Sequence, residues 1–178
     1  LIGWLQDRQM ESSMSDSMAA ERTTAVNPND LPKQQANLAY WISRKYKVGA
    51  EPISALVSEA YESGQKSQID PLLILAVMAI ESGFNPFAQS PMGAQGLMQV
   101  MTKVHSDKYQ NFGGQLAAFD PLSNVKVGVS VLRECINRAG SVEGGLKLYV
   151  GAVENSSDSY LSRVMTDRKS TRLNSSHT

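Results

Sequence analysis

Nine consecutive apolar residues, Leu72 to Ile80, constrain this chain more than any other feature. Asp70 and Pro71 precede the run, a side-chain cap followed by a residue whose fixed φ suits the first helical position. The Leu, Ala and Met content favours a helix over a buried strand, and Gly83 and Pro86 are stop signals. A helix that is apolar all round belongs at the centre of a domain, because no face of it can be left in water. Glu81 closes the run. It falls in the last turn, where the helix dipole and the apolar neighbours both oppose an ionised carboxylate. Both effects are expected to raise its pKa, as a general acid near neutral pH requires. Local physics alone is better satisfied by a frayed helix end with a solvated glutamate; the residues downstream reverse that balance.

Amphipathic stretches surround this run. Leu38, Trp41, Ile42 and Tyr46 lie on one helical stripe, and Ile53, Leu56, Val57, Ala60 and Tyr61 form a second behind Pro52. Leu97, Val100, Met101 and Val104 are spaced for a further helix opening near Gly96. Asp120 and Pro121 repeat the start signal ahead of Val125, Gly128, Val131, Leu132, Cys135 and Ile136, with a stop near Gly140. Cys135 is then most simply a core residue. Val142, Leu146 and Tyr149 predict another helix behind Ser141 and Glu143, and Tyr160 with Val164 a last short one. No stretch alternates like a strand for long, and there is no internal repeat. The fold class is all-α.

The 178 residues suffice for one domain with length to spare. Residues Glu11 to Pro32 are rich in Ser, Thr, Asn, Met and Asp without apolar period, so residues 1–33 read as an N-terminal segment and flexible linker, and 34–166 as the domain. The tail DRKSTRLNSSHT, residues 167–178, is polar and aperiodic and resembles an in-frame translation of a sequencing-library adapter; it reads as non-native, with the native chain breaking off near Thr166. Without Arg168, Lys169, Arg172 and Asp167, 14 basic and 16 acidic residues remain, a mildly acidic balance. The short basic cluster Arg44, Lys45 and Lys47 reads as a solvated helix face, so nucleic acid is not indicated. The longest apolar run is about half what a bilayer helix needs. Residues 1–10 lack the positive n-region and apolar core of a signal peptide, so an export signal either lies upstream or does not exist. A sole cysteine excludes an intramolecular disulfide and a thiolate metal cluster. No His, Asp or Glu pair has metal-ligand spacing, so neither metal nor cofactor is expected.

From Glu81 to Met101 the chain reads ESGFNPFAQSPMGAQGLMQVM. This stretch resembles the lytic transglycosylase family, the soluble-type catalytic domain related to goose-type lysozyme, whose members look like E-S-x-F-N-P-x-A-x-S-x-x-G-A-x-G-L-M-Q-x-M. All 14 fixed positions agree: Glu81, Ser82, Phe84, Asn85, Pro86, Ala88, Ser90, Gly93, Ala94, Gly96, Leu97, Met98, Gln99 and Met101. The likeness continues more loosely through Phe119, Asp120, Pro121, Asn124, Gly128, Tyr149, Gly151 and Tyr160. The resemblance implies a lysozyme-like helical domain with a groove for glycan, cleaving the β-1,4 bond between N-acetylmuramic acid and N-acetylglucosamine in peptidoglycan. It further implies that Glu81 protonates the glycosidic oxygen, and that the muramoyl 6-hydroxyl captures the oxocarbenium ion to leave a 1,6-anhydro end. An ordinary glycosidase needs a second carboxylate within roughly 5 to 10 Å. After Glu81 no acid appears until Asp107, and neither Asp107 nor Asp120 occupies a motif position.

The resemblance gives Ser90, Gln99, Met101 and Tyr149 places beside the sugar. Read from the residues alone, Ser90 caps a turn before Pro91, Gln99 is a polar helix residue with donors and acceptors free, and Met101 falls on the apolar stripe of Leu97 and Val104. Gly93 and Gly96 permit a tight loop beside the groove. Tyr149 is expected to hold Glu81 or the sugar through its hydroxyl. Val150 departs from the family's A-Y-N-x-G, which puts an amide contact to substrate in doubt. His105 lies away from every motif position and reads as a surface residue. Three functions remain open: a lytic transglycosylase, a lysozyme-type hydrolase on the same scaffold, and a wall-binding module with weak or no turnover. The implied substrate is the peptidoglycan glycan strand and the implied location the periplasm or bacterial envelope; no protein partner is identified.

Overall fold

The computed structural model describes residues 25–150 and 157–175. Three helices open the domain: α1 (Lys33–Tyr46), α2 (Ala50–Ser67) and α3 (Pro71–Ser82). α3 starts as its sequence dictates. The Asp70 carboxylate accepts the Leu72 N–H at 2.9 Å, Pro71 fills the first turn, and Gly83 closes the helix in the left-handed region with its N–H on the Ala79 carbonyl. Every residue from Leu72 to Ala79 is buried. The same core holds Leu38, Ala39 and Ile42 of α1 and Ile53, Leu56, Val57 and Ala60 of α2. Six of the eight side chains from Leu72 to Ala79 are Leu, Ile, Val or Met, each contributing about 1.5 to 3 kcal/mol on burial.

The predicted helix at Leu97 to Val104 does not form. Instead β1 (Ala94–Gln95) pairs antiparallel with β2 (Val100–Met101), Ala94 opposite Met101 and Gln95 opposite Val100. Gly93, Gly96 and Gln99 all have positive φ, at 94°, 81° and 51°, and a right-handed helix cannot pass through such residues. Leu97, Met98 and Val100 are buried as apolar residues should be, but Val104 is 68% exposed, so the three-and-four spacing was not a helical stripe.

A short α4 (Ser106–Tyr109) and two 3-10 turns, Gln110–Phe112 and Gln115–Phe119, lead to α5 (Pro121–Ala139). Asp120 caps α5: one carboxylate oxygen accepts the Ser123 N–H at 3.1 Å and also takes the Ser123 hydroxyl. Gly140, at φ 82°, ends it. Cys135 is partly buried against the core. α6 (Val142–Val150) folds back on α5, and the two helices approach so closely at Gly145 that a Cβ there would lie 2.5 Å from Ile136 Cγ1. α7 (Ser157–Ser175) packs across α1, α3 and α6 through residues including Val164.

The last helix is not the short one expected around Val164. From 157 to 175 there is neither Gly nor Pro to stop it, and it runs on into residues 167–175. Arg168 and Arg172 there pair with Asp70, at 2.8 and 2.7 Å. At the other end, residues 25–32, within the segment read as linker, include the 3-10 turn Pro28–Asp30, with Pro28 buried and the Val26 N–H on the Glu51 carbonyl. Residues 1–24 and Gly151, and the side chain of Tyr160, lie outside what is described.

One charged residue is sealed between α2 and α5. Glu59 is 5% exposed, accepts the Ser63 hydroxyl at 3.2 Å and faces Lys126 at 3.5 Å. Burial raises its carboxyl pKa, with the Lys126 charge opposing. The folded protein therefore keeps a proton that the unfolded chain has already released just above the ordinary carboxylate range, and it loses stability as pH rises through that window. Glu59→Gln removes the titration. Urea unfolding of both proteins from about pH 4 to 7 should show the variant gaining on the parent as pH rises; a difference independent of pH would mean that Glu59 carries no such linkage.

Candidate active site

Glu81 is the penultimate residue of α3 and is partly buried. Immediately beyond it Gly83 and Phe84 are both left-handed, at φ 58° and 63°. Phe84 is not a glycine, and its anchor is packing: the ring is buried edge-on to Tyr46, centroids 4.9 Å apart. The turn that follows is tied by its own polar groups. Asn85 Oδ1 accepts the Phe87 N–H at 3.0 Å, and the Asn85 carbonyl accepts the Ala88 N–H at 3.3 Å.

From Ala88 the chain enters the hairpin. The Ala88 carbonyl accepts from the Gly96 N–H at 2.9 Å and from Gln99 Nε2 at 3.0 Å; the same amide nitrogen also donates to the Gly96 carbonyl at 3.0 Å. Gln99 is thus a brace, not the exposed helix residue its sequence position offered, and its two donors are used while its Oε1 accepts nothing among the described residues. Ser90 closes the next turn. Its hydroxyl oxygen accepts the Ala94 N–H at 3.0 Å and its N–H donates to the Ala94 carbonyl at 2.9 Å. The turn-capping reading of Ser90 describes these contacts. Met101, in β2, is partly buried at the boundary between core and surface.

What fixes the hairpin to the helices is Asn124, fully buried in the first turns of α5. Its Oδ1 accepts the Met98 N–H at 2.8 Å, and its Nδ2 donates to the carbonyls of Gln95 and Ala118, both at 2.9 Å, with the Tyr109 hydroxyl 3.2 Å away. Met98 is held from its other side as well, because the Tyr149 hydroxyl donates to the Met98 carbonyl at 2.6 Å. Sequence reading placed Asn124 in the loose family pattern without a role. The available signal was an amide on the inward face of a helix otherwise lined by Val and Leu.

Two glycines follow from this network. A Cβ on Gly96 would lie 2.2 Å from Asn124 Nδ2, and one on Gly128 would lie 2.5 Å from the Met98 sulfur. Neither position tolerates a side chain while Asn124 and Met98 stay where they are.

Tyr149 shares its surroundings with Glu81. Burial, and after it the Glu81 charge, push the Tyr149 phenol well above its ordinary pKa. The phenol stays neutral, and its single proton is committed to Met98. As a donor this hydroxyl holds the hairpin, and its oxygen remains able to accept a hydrogen bond. Val150 packs partly buried against the core.

Asp120 caps α5 and Glu59 pairs with Lys126. His105, partly buried, has its pKa lowered by burial and then by Lys108. Among the described residues no group of three or more His, Cys, Asp or Glu side chains is arranged to hold a metal ion. A cavity of about 670 Å³ lies between Leu31, Gln35, Tyr61, Gln68 and Pro71. It sits at the opposite end of α3 from Glu81, roughly 15 Å along the helix axis. It contains no residue of the Glu81–Met101 motif, so the braced motif and not cavity size locates the site.

The chain was compared with known proteins. The family described as "Transglycosylase SLT domain" matches residues 58–158, more than half of the chain. A transglycosylase of enterobacteria phage PRD1 is 37% identical over 83 residues, covering 47% of this chain and 29% of the phage protein. Membrane-bound lytic murein transglycosylase C of Haemophilus influenzae strain PittEE is 30% identical over 146 residues, covering 74% of this chain and 40% of that protein. The same protein from strain ATCC 51907 matches to the same extent. The chain therefore spans less than half the length of these curated relatives.

The network makes Asn124 costly to remove. Asn124→Ala removes the partner that this amide gives the Met98 N–H and the Gln95 and Ala118 carbonyls, at about 1 to 3 kcal/mol for each group that finds no other. We expect a loss of roughly 3 to 5 kcal/mol in urea unfolding. A loss below about 1 kcal/mol would show that the hairpin is held by other means.

Proposed function

The chain belongs to the transglycosylase SLT-domain family, and from that premise we propose that it is a peptidoglycan lytic transglycosylase. It cleaves the β-1,4 bond between N-acetylmuramic acid and N-acetylglucosamine and leaves a 1,6-anhydromuramoyl end. The observation that carries the reading is the placement of the motif. Glu81 ends a rigid buried helix, and the rest of the motif is locked beside it by Asn124, Gln99 and Tyr149.

In the reaction the Glu81 carboxyl gives its proton to the glycosidic oxygen as the bond to the muramoyl anomeric carbon breaks. The 6-hydroxyl of the same muramoyl residue attacks the oxocarbenium carbon and passes its proton to the Glu81 carboxylate. Glu81 ends the cycle protonated, and no water is consumed. A hydrolase of lysozyme type needs a second carboxylate as nucleophile or water activator. The helix-capping work of Asp120 and the pairing of Glu59 with Lys126 favour the one-carboxylate route.

The roles of the other motif residues follow from what their hydrogen bonds leave over. The Ser90 oxygen accepts from Ala94, so its hydroxyl proton remains for a substrate oxygen. Gln99 keeps its Oε1 for a sugar hydroxyl or amide N–H. Met101 offers an apolar edge, and Tyr149 positions the hairpin through Met98. With Val150 in the place of the family's asparagine, the corresponding sugar loses an amide contact. The substrate places the working site in the bacterial envelope, in the periplasm. No helix among the described residues is long and apolar enough to cross a membrane. Residues 167–175 continue α7 and reach Asp70 through Arg168 and Arg172, but in this reading they carry no part of the catalytic machinery.

Digestion of purified sacculi with mass spectrometry of the released muropeptides tests the reaction. Anhydromuramoyl ends are expected; reducing ends carrying added water would make the protein a hydrolase, and intact glycan would make it a binding module. Glu81→Gln should lower release by about a hundredfold or more with folding intact, and normal release in that variant would remove Glu81 from the chemistry. A chain ending at Thr166 is expected to keep its activity, because no motif position lies beyond it. Loss of release from that shortened chain would put the tail inside the domain.

A further inference from the structure

Phe87 is the most exposed aromatic residue among those described, with 72% of its surface in water. Leaving that ring in water forgoes the stabilisation that burial would bring. The loop gives it no freedom to tuck inward. Pro86 fixes φ before it, its own N–H is held by Asn85 Oδ1, and the carbonyl of Ala88 after it is gripped by Gly96 and Gln99. Three residues earlier the same loop sends Phe84 into the core. The loop therefore sorts its two rings, one in and one out.

Met92 continues this apolar edge. It is 60% exposed at the turn closed by Ser90 and Ala94, beyond the bridge between Gln89 and Gln95. The whole strip is uncharged. From Ser82 to Thr102 there is not one Asp, Glu, Lys or Arg. A surface meant for anionic lipid or nucleic acid would carry cations; amide groups, hydroxyls and exposed apolar side chains suit the uncharged ring faces and hydroxyls of a saccharide. In a β-1,4-linked pyranose strand the substituents are equatorial, so each ring presents flat C–H faces that an aromatic ring can cover.

We propose that Phe87 is a glycan-contacting residue, its ring receiving the C–H face of a pyranose in the strand cleaved at Glu81, with Met92 lengthening the apolar edge. This rests on the transglycosylase reading of the site. The occupant follows from continuity: Phe87 is six residues beyond Glu81 in sequence, and its neighbour Ala88 is held by Gln99 and Gly96 of the same motif.

Soluble, uncrosslinked glycan strands, prepared by stripping the peptides from sacculi with an amidase, are the probe. Rates of anhydromuramoyl formation should give Phe87→Ala a KM about three- to tenfold above the parent with kcat nearly unchanged. Phe87→Trp should restore the KM, and thermal unfolding should be the same in all three proteins, since the side chain is exposed. In a Glu81→Gln background, the indole introduced by Phe87→Trp should change its emission when strands are added. An unchanged KM in Phe87→Ala overturns the proposal, as does an effect on kcat alone or an indole blind to the strands. If the parent forms no anhydro ends on these strands, the transglycosylase reading itself fails and this inference with it; parental turnover with an unaffected Phe87→Ala overturns the inference alone.

Discussion

The buried amide of Asn124 is the constraint on which the site depends. The hairpin it holds contains two paired residues on each strand, far too few to persist in water unaided. Its conformation is costly besides, with three backbone positions at positive φ between Gly93 and Gln99. Asn124 offsets this by satisfying three backbone groups at once, from β1, from Met98 and from the segment before α5. Each bond is worth about 1 kcal/mol net, but each buried group left alone would cost more. A hairpin in any other register would strand these groups, so one side chain selects a single geometry from many.

Met98 transmits that selection. Its N–H belongs to Asn124 on α5 and its carbonyl to Tyr149 on α6, while its side chain lies against Gly128. The α5–α6 unit is itself tightly closed at Gly145. Glu81 reaches the same place from a different direction, along a helix fixed by burial on every side. The acid and the hairpin are therefore located by independent means, one by hydrophobic packing and one by a polar network. Tyr149, which senses the Glu81 charge while bonded to Met98, stands where the two meet.

Much of the fold was legible because its signals are local. Asp70-Pro71 and Asp120-Pro121 announce helix starts by supplying a cap and a suitable φ, and Gly83 and Gly140 announce their ends. The apolar stripes of α1, α2 and α5 are buried where the period places them. The hairpin was misread because Leu97, Val100, Met101 and Val104 fall by coincidence at helical spacing. Gly93 and Gly96 had marked a tight loop there, and backbone sterics overrode the period. The length of α7 was missed for want of a stop signal, since a polar, aperiodic sequence says nothing against a helix that tertiary contacts support. In the site, the place of Glu81 at the end of α3 was legible. The work of Asn124 and the direction of the Tyr149 hydroxyl were not, because an amide or a phenol has no local pattern that names its distant partner.

The division between helix and hairpin has a chemical consequence. A proton donor must stay within hydrogen-bond reach of the bond it breaks, and displacement by an ångström can cost a hundredfold in rate. In the proposed reaction, placing Glu81 on a rod buried from Leu72 to Ala79 secures that position at low conformational cost, since α3 is already required by the core. Groups that must follow the contours of a sugar need irregular backbone, which helices do not supply. Ser90, Gln99 and Met101, which the proposed function sets against the sugar, sit in turns and short strands, and their rigidity is imported through hydrogen bonds to Ala94, Ala88 and Gly96 and through Asn124. The same economy explains why the motif beyond Glu81 is dense in glycine and amide and free of charge. Each braced turn needs backbone groups paired at close range, and a lysine or carboxylate in that strip would have to be desolvated without a partner whenever the site is covered.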